Sequence, residues 1–256
     1  ACPFFCILST LPVSLGSVPM SDAEESTVRV NFGKPMPLFP LDAVTLLPQQ
    51  VLPLHIFEPR YRQMIEHALD GSGQFAMAVF KGRAWKQQYH GRPPLMRAVC
   101  IGQVAQHEKL PDGRFNVLLQ GVCRARIASE IPPDEERLYR AATLEPIDAA
   151  PHDDEELADA REFLEQTLTE GPLAQLAASR AVLEYVQNEQ IPTSALLELV
   201  SFTMLSGKSL RYRLLAEGDI QRRASIIRDE LLSLSKLIQR AAAQKPEDWP
   251  KGLSWN

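Results

Sequence analysis

From Met36 to about Ile147 the apolar residues fall in short runs or alternate with polar ones. From about His152 to Gln244 they recur every three or four positions. The first pattern predicts strands and the second helices, because side chains alternate across a strand but return to one face of a helix each turn. Pro37-Leu38-Phe39-Pro40-Leu41 and Val51-Leu52-Pro53-Leu54-His55-Ile56-Phe57 predict two short strands. Their prolines remove ladder donors, so these strands belong at a sheet edge or beside a bulge. A helix should open at Glu58-Pro59-Arg60-Tyr61, with Pro59 suited to its first position. Tyr61, Ile65 and Leu69 give that helix one apolar face, and Gly71 stops it. Residues 74–81 predict a buried strand, 85–94 a polar loop, and 98–107 another strand. The turn Pro111-Asp112-Gly113-Arg114 then leads into strands at 115–119 and 122–128, and an Asp-Gly turn between alternating runs signals a hairpin. A last strand is expected at 139–144. Several short strands with one early helix suggest a compact, partly closed sheet.

The helical half is punctuated by Gly171-Pro172, Ile191-Pro192, Ser206-Gly207 and Gly218. Asp153 and Glu156 have the spacing of a capping box, and Leu157, Ala160, Leu164 and Leu168 form an inward stripe. In the last helix Ile220, Ala224, Ile227, Leu231, Leu234 and Ile238 alternate spacings of four and three, a coiled-coil-like seam. It suits packing on the chain's own helices or pairing in a homodimer. Residues 1–19 are apolar but lack a basic start and are interrupted by Pro3 and Pro12. With Met20 following, they read as an upstream extension in preference to a signal peptide. The polar, acidic stretch after Met20 reads as a loose arm, and the tail from Lys245, with Trp249 and Trp255, as flexible. The expected organisation is an extension over 1–35, a β-rich module over 36–147, a helical bundle over 148–243 and a tail over 244–256. The class is α+β.

Composition narrows the function. A chain of 256 residues with 45% hydrophobic and 23% charged residues is that of a soluble globular protein of one or two domains. Lys and Arg number 27 against 32 Asp and Glu, a net charge of −5. That balance disfavours nucleic acid, whose binding rests on phosphate neutralisation. No apolar run is long enough to span a membrane, so no membrane partner is expected. The cysteines are Cys2, Cys6, Cys100 and Cys123, with no CxxC pair. They make no disulfide framework, and a reducing cytoplasm suits them.

Catalytic patterns fail on spacing. Gly207-Lys208-Ser209 evokes a phosphate-binding loop, but the position that needs a glycine is Phe202, within a helical run. Gly71-Ser72-Gly73 follows a helix and lacks nucleophile-elbow spacing. None of His55, His67, His90, His107 and His152 stands at ligand spacing from another, and His55 reads as a hydrogen-bonded core histidine. The carboxylates of residues 153–156 suit a helix N-terminus. Glu58 and Arg60 are expected to pair at the strand-to-helix corner. The residues thus imply no catalytic set, no metal and no cofactor.

Two longer motifs carry a resemblance. Met36 to Tyr61, with PLFPL and then PLHIFEPRY, resembles the opening of the Lon protease N-terminal substrate-binding domain. IGQVAQHEKLPDGRFNVLLQGVCRARI, from Ile101 to Ile127, is similar to that family's second hallmark. The motif residues are Pro37, Phe39, Pro40, Leu41, Pro53, His55, Ile56, Phe57, Glu58, Arg60, Tyr61 and Gly102, expected to be structural, as are Arg124 and Arg126. The sequence shows neither the Walker motif nor the Ser–Lys peptidase module of Lon, so the peptidase La activity is not expected, and the zinc-binding CxxC pairs of cereblon-type proteins are missing. The resemblance implies a stand-alone bacterial Lon-domain protein with a barrel-like, PUA-like sheet module ahead of a helical bundle. It implies binding of unfolded or extended polypeptide without cleavage, with a separate protease or chaperone as further partner. The loop at 85–94 is the expected rim, with Trp85, Tyr89 and Arg92 as contacts, although Trp85 and Tyr89 would serve equally as a cap on the module. Small barrels of this kind also bind RNA, and Arg211, Arg213, Arg222 and Arg223 would be the strip for it. A cryptic hydrolase is the third reading.

Overall fold

The computed structural model describes residues 28–243 apart from 43, 83, 88, 90 and 149–153. The readings placed on residues 1–27, Asp153, His90, His152 and the tail lie outside the described residues. The described chain is α+β, with strands β1 (Met36–Leu41), β2 (Val51–Ile56), β3 (Gln74–Val79), β4 (Ala98–Lys109), β5 (Phe115–Ile131) and β6 (Ala141–Pro146). Its helices are α1 (Pro59–Leu69), α2 (Ala158–Thr169), α3 (Ala177–Val186), α4 (Thr193–Thr203), α5 (Lys208–Ala216) and α6 (Ile220–Ala243). Two compact units form. One holds the strands, α1 and Lys208–Gly218, and the other holds the remaining helices.

In the first unit the sheet order is β2-β5-β4-β3-β1-β6, and β6 also pairs with β5. Five strands therefore pair in a closed circuit, with β2 attached outside it. The 17 residues of β5 make this arrangement work: its first part pairs with β2 and its last part with β6. The sequence reading broke this strand at Gln120-Gly121. The strand instead runs through, absorbing the irregularity as a register shift against β4 at Ile101/Gly102. Leu38, Ala76, Val99, Ile101 and Ala125 are fully buried in the core of this unit. Val28, Val30 and Phe32 pack against the same cluster, and Gln74 Nε2 donates to the Arg29 carbonyl at 2.9 Å. The chain is thus engaged ahead of Met36, where the sequence pattern placed the start of order; isolated apolar residues in a polar stretch carry no period. Pro59 does open α1, and Tyr61 meets Phe39 edge-on with ring centroids 4.7 Å apart.

The turn before β2 is tight. Gln50 donates its amide to the Leu47 carbonyl at 3.2 Å, Pro48 takes the second position, and Gln49 has φ 65. This is the arrangement of a type II turn, whose third position ordinarily holds glycine. Gln49 and Gly121 then bond across the start of the β2–β5 ladder, the Gln49 amide donating to the Gly121 carbonyl at 2.7 Å.

Arg124 is the largest fully buried side chain. Its Nε donates to the Leu214 carbonyl of α5 at 3.1 Å, and Asp148 lies 3.6 Å from its guanidinium. The Ala98 amide donates to the Tyr212 hydroxyl at 2.9 Å. These bonds fasten α5 to β4 and β5, although its neighbours in sequence are helices of the other unit.

In the second unit Asp154 accepts from both the Thr193 amide (2.7 Å) and hydroxyl (2.9 Å), so this carboxylate caps α4, a helix distant in sequence. Arg161 donates to the carbonyls of Val186, Asn188 and Ile191, each at 2.8 Å, and satisfies the end of α3. Arg223 of α6 and Glu198 of α4 form a buried ion pair at 3.7 Å. The RNA strip expected from the sequence therefore loses Arg223 to the interior; its place among three other arginines hid its inward direction. Ile220, Ile227 and Leu231 are buried within the unit, whereas Leu237 is 63% exposed.

Candidate functional site: the open strand and the aromatic corner

Among the described residues β2 pairs only with β5, so its other edge is open. The Gly121 amide donates to the Gln50 carbonyl at 2.8 Å. Strand alternation then turns the backbone of Leu52, Leu54 and Ile56 toward β5 and that of Val51, Pro53 and His55 outward. Pro53 stands where its missing donor would have faced away from the sheet, as an edge proline should. The outward edge offers amides at Val51 and His55 and carbonyls at all three positions.

Over the sheet face formed by β2, β5 and β4 lies a groove of about 430 Å³, lined by Pro53, His55, Leu118, Asn116, Gln106 and Glu108 among others. Its polar side is a chain of hydrogen bonds. Asn116 Nδ2 donates to Glu108 at 2.9 Å, and Asn116 Oδ1 accepts from His55 Nδ1 at 2.8 Å. Arg114 donates to His55 Nε2 at 3.3 Å and is held by Asp112 at 2.6 Å. As a guanidinium only donates, Nε2 accepts from Arg114 and Nδ1 donates to Asn116. His55 is therefore hydrogen-bonded but exposed, not the core histidine expected. Its run reads apolar on both faces, yet the strand buries only its far end. Phe57 stacks on His55 at 6.3 Å between centroids and is 60% exposed. The motif reading made Phe57 structural; the structure places its ring in solvent.

Past Phe57 the chain turns into an aromatic corner. Glu58 and Arg60 form the expected ion pair at 2.9 Å. Arg60 lies over the rings of Tyr61 (4.6 Å) and Tyr89 (4.7 Å), and the Tyr89 hydroxyl donates to Glu58. Burial, and then the hydrogen bond to the Glu58 carboxylate, push the Tyr89 hydroxyl above its ordinary range. Burial does the same to Tyr61. Both phenols stay protonated near neutrality, which suits donors and not bases. Trp85 lies flat on Phe80, centroids 4.9 Å apart and planes within 2°, and Tyr89 meets Trp85 edge-on at 5.9 Å. The structure thus brings Trp85 and Tyr89 together, partly buried over the core cluster, while Arg92 is exposed.

The remaining chemistry is sparse. No group of three His, Cys, Asp or Glu able to hold a metal occurs among the described residues. Cys100 and Cys123 are buried, and facing Arg124 and Ile101 respectively on adjacent strands they point to opposite sides. Lys208 opens α5 and pairs with Asp42, so the Gly207-Lys208-Ser209 stretch has a structural use. No helix of the described residues is long and apolar enough to cross a membrane.

Residues 35–233 match the model of the ATP-dependent protease La (LON) substrate-binding domain. The chain belongs to this family. Lon protease 1 of Syntrophobacter fumaroxidans is 32% identical over 100 residues, 39% of this chain but 12% of that protein. Lon protease of Escherichia coli K12 is 28% identical over 110 residues, 43% of this chain and 14% of that protein. The chain thus spans a small part of the length of these relatives. Among solved structures, the N-terminal domain of the Mycobacterium avium complex Lon protease superposes with a TM-score of 0.58 at 19% identity, over 77% of this chain and 98% of that one. A Lon N-terminal domain protein from Xanthomonas campestris gives 0.53 at 19%, over 78% and 98%. These neighbours support the fold. Within the Lon substrate-binding framework, the motif residues divide by environment: Phe39, Ile56 and Tyr61 are buried, Glu58 and Arg60 form the corner, and Pro53, His55 and Phe57 face solvent.

Proposed function

We propose that this chain holds unfolded or extended polypeptide along β2 of the first unit, breaks no covalent bond in it, and serves protein quality control in the cytoplasm, passing the bound chain to a separate protease or chaperone. One observation carries the reading: β2 has an open edge, contributes Pro53 and His55 to a groove on the sheet face, and leads directly into the exposed Phe57. An added strand would bond to the outward amides and carbonyls of Val51 and His55, and its side chains on the groove face would lie beside Pro53 and His55 at the groove's margin. Phe57 would supply the apolar anchor, and Trp85 and Tyr89 the far rim. We read the closed strand circuit as a PUA-like barrel that holds this edge rigid, and the helices of the second unit as a bundle. RNA binding is the lesser reading, because Arg223 is buried against Glu198.

The test is fluorescence anisotropy of the full chain with one labelled protein, presented reduced and alkylated so that it stays unfolded, or folded. Micromolar binding to the unfolded form alone is expected, with no cleavage and no effect of ATP. Phe57→Asp should weaken it about tenfold, since burying one phenylalanine ring is worth about 1.5–3 kcal/mol. Equal affinity for the folded form, or native affinity in the variant, would refute the proposed site.

A further inference from the structure

The charge distribution around the rim selects among polypeptides. No Asp or Glu occurs between Asp70 and Glu108, yet this stretch carries five Lys and Arg, of which Lys81, Lys86, Arg92 and Arg97 are exposed among the described residues. The local balance is opposite to that of a chain with net charge −5. Elsewhere in the first unit five cations are neutralised by a neighbouring acid: Arg60 by Glu58, Lys109 by Glu66, Arg126 by Glu145, Arg137 by Asp134 and Arg140 by Glu130. Among the described residues none of Lys81, Lys86, Arg92 and Arg97 forms such a pair. Lys86 instead lies 5.9 Å from the Trp85 ring centroid.

The fold ties the loop that bears Lys81, Lys86 and Arg92 to the end of β2. Phe80 bridges to Leu95, and the Lys81 amide donates to the Pro94 carbonyl at 2.8 Å, so the two ends of the loop meet. Tyr89 ties the same loop to Glu58, the residue after Phe57. A chain laid along β2 and over Phe57 therefore runs next into unneutralised positive charge. Exposed cations without partners attract carboxylates and speed their encounter.

We propose that the occupant is an extended polypeptide segment with acidic residues beside an apolar centre, its carboxylates meeting Lys81, Lys86, Arg92 and Arg97. This rests on the polypeptide-binding reading above and adds the substrate class. The aromatic corner favours protein over nucleic acid, because Trp85 stacks on Phe80 and meets Tyr89 edge-on while Tyr89 carries Arg60 over its ring, so both rings are engaged within the protein.

The test uses the full chain and three labelled peptides sharing one alternating apolar centre: flanked by glutamates, flanked by lysines, or unflanked. A single-stranded RNA of similar length is the fourth probe. The glutamate-flanked peptide should bind about tenfold tighter than the lysine-flanked one at low salt, with most of that margin lost at molar salt. Lys86→Glu combined with Arg92→Glu should reverse the order of the two peptides, with unchanged thermal unfolding to show that the fold is intact. If both flanked peptides bind like the unflanked one, the acidic preference is refuted and the polypeptide reading stands. If no peptide binds, the underlying reading fails. If RNA binds more tightly than the glutamate-flanked peptide and displaces it, the basic surface belongs to nucleic acid and the proposal is overturned.

Discussion

Gly121→Ala should cost this protein about 3–5 kcal/mol of stability, the range of severe backbone and packing lesions. A Cβ at that position would lie 2.1 Å from the Leu47 carbonyl oxygen, and the atoms in its way are backbone. They cannot retreat, because the same oxygen accepts the Gln50 amide and the Gly121 amide and carbonyl bond to Gln50 and Gln49. The alternative to strain is separation of β2 from β5 at its start, which would disorganise the proposed binding edge. Urea unfolding should therefore show a much lower midpoint, and any folded remainder should bind unfolded protein poorly. The companion change Gln49→Gly should act in the opposite direction, gaining about 1 kcal/mol by relieving a side chain held at φ 65. A native midpoint for Gly121→Ala would mean that the turn is not packed against β5 as described.

Glu198→Ala should be comparably severe in the second unit. Arg223 and Glu198 each retain 7% side-chain exposure, and removing the carboxylate breaks this buried ion pair. Such losses cost about 3–5 kcal/mol. Replacing the pair together, by Glu198→Leu with Arg223→Met, should restore most of the stability, since two apolar side chains of similar volume need no counter-charge. Circular dichroism melts of the single and double variants distinguish the two outcomes. A double variant as unstable as Glu198→Ala would show that the pair does more than neutralise itself.

The sequence made some of this plain and hid the rest. Pro59 at the head of α1, the Asp112-Gly113 turn and the edge character of the Pro53 strand follow from rules that act within a few residues and appear in the structure, whereas the same rule fails for β1, which lies between β3 and β6. The continuity of β5 was hidden because Gln120-Gly121 looks like a turn, whereas Gly121 is there for a close approach by Leu47, a contact between residues far apart in sequence. The same distance concealed the attachment of α5, which depends on Arg124 and Tyr212 reaching across the chain. At the candidate site, Trp85, Tyr89 and Arg92 were visible as a loop rich in aromatic and basic residues, but not the stacking of Trp85 on Phe80. His55 was misplaced in the core because an apolar run of seven residues does not declare which of its faces is buried. The unbroken absence of acids between Asp70 and Glu108 was legible throughout. Its meaning needed the structure, which ties the loop inside this stretch to Glu58 at the end of β2.

The account turns on β2 as the place where another chain is held, and amide hydrogen exchange of the full protein with and without saturating unfolded polypeptide tests that directly. Exchange at Val51 and His55 should slow, together with the segment from Phe57 to Arg60, while α2, α3 and α4 keep their free-state rates. Protection confined to those helices, with β2 exchanging as before, would place the bound chain elsewhere and contradict the account.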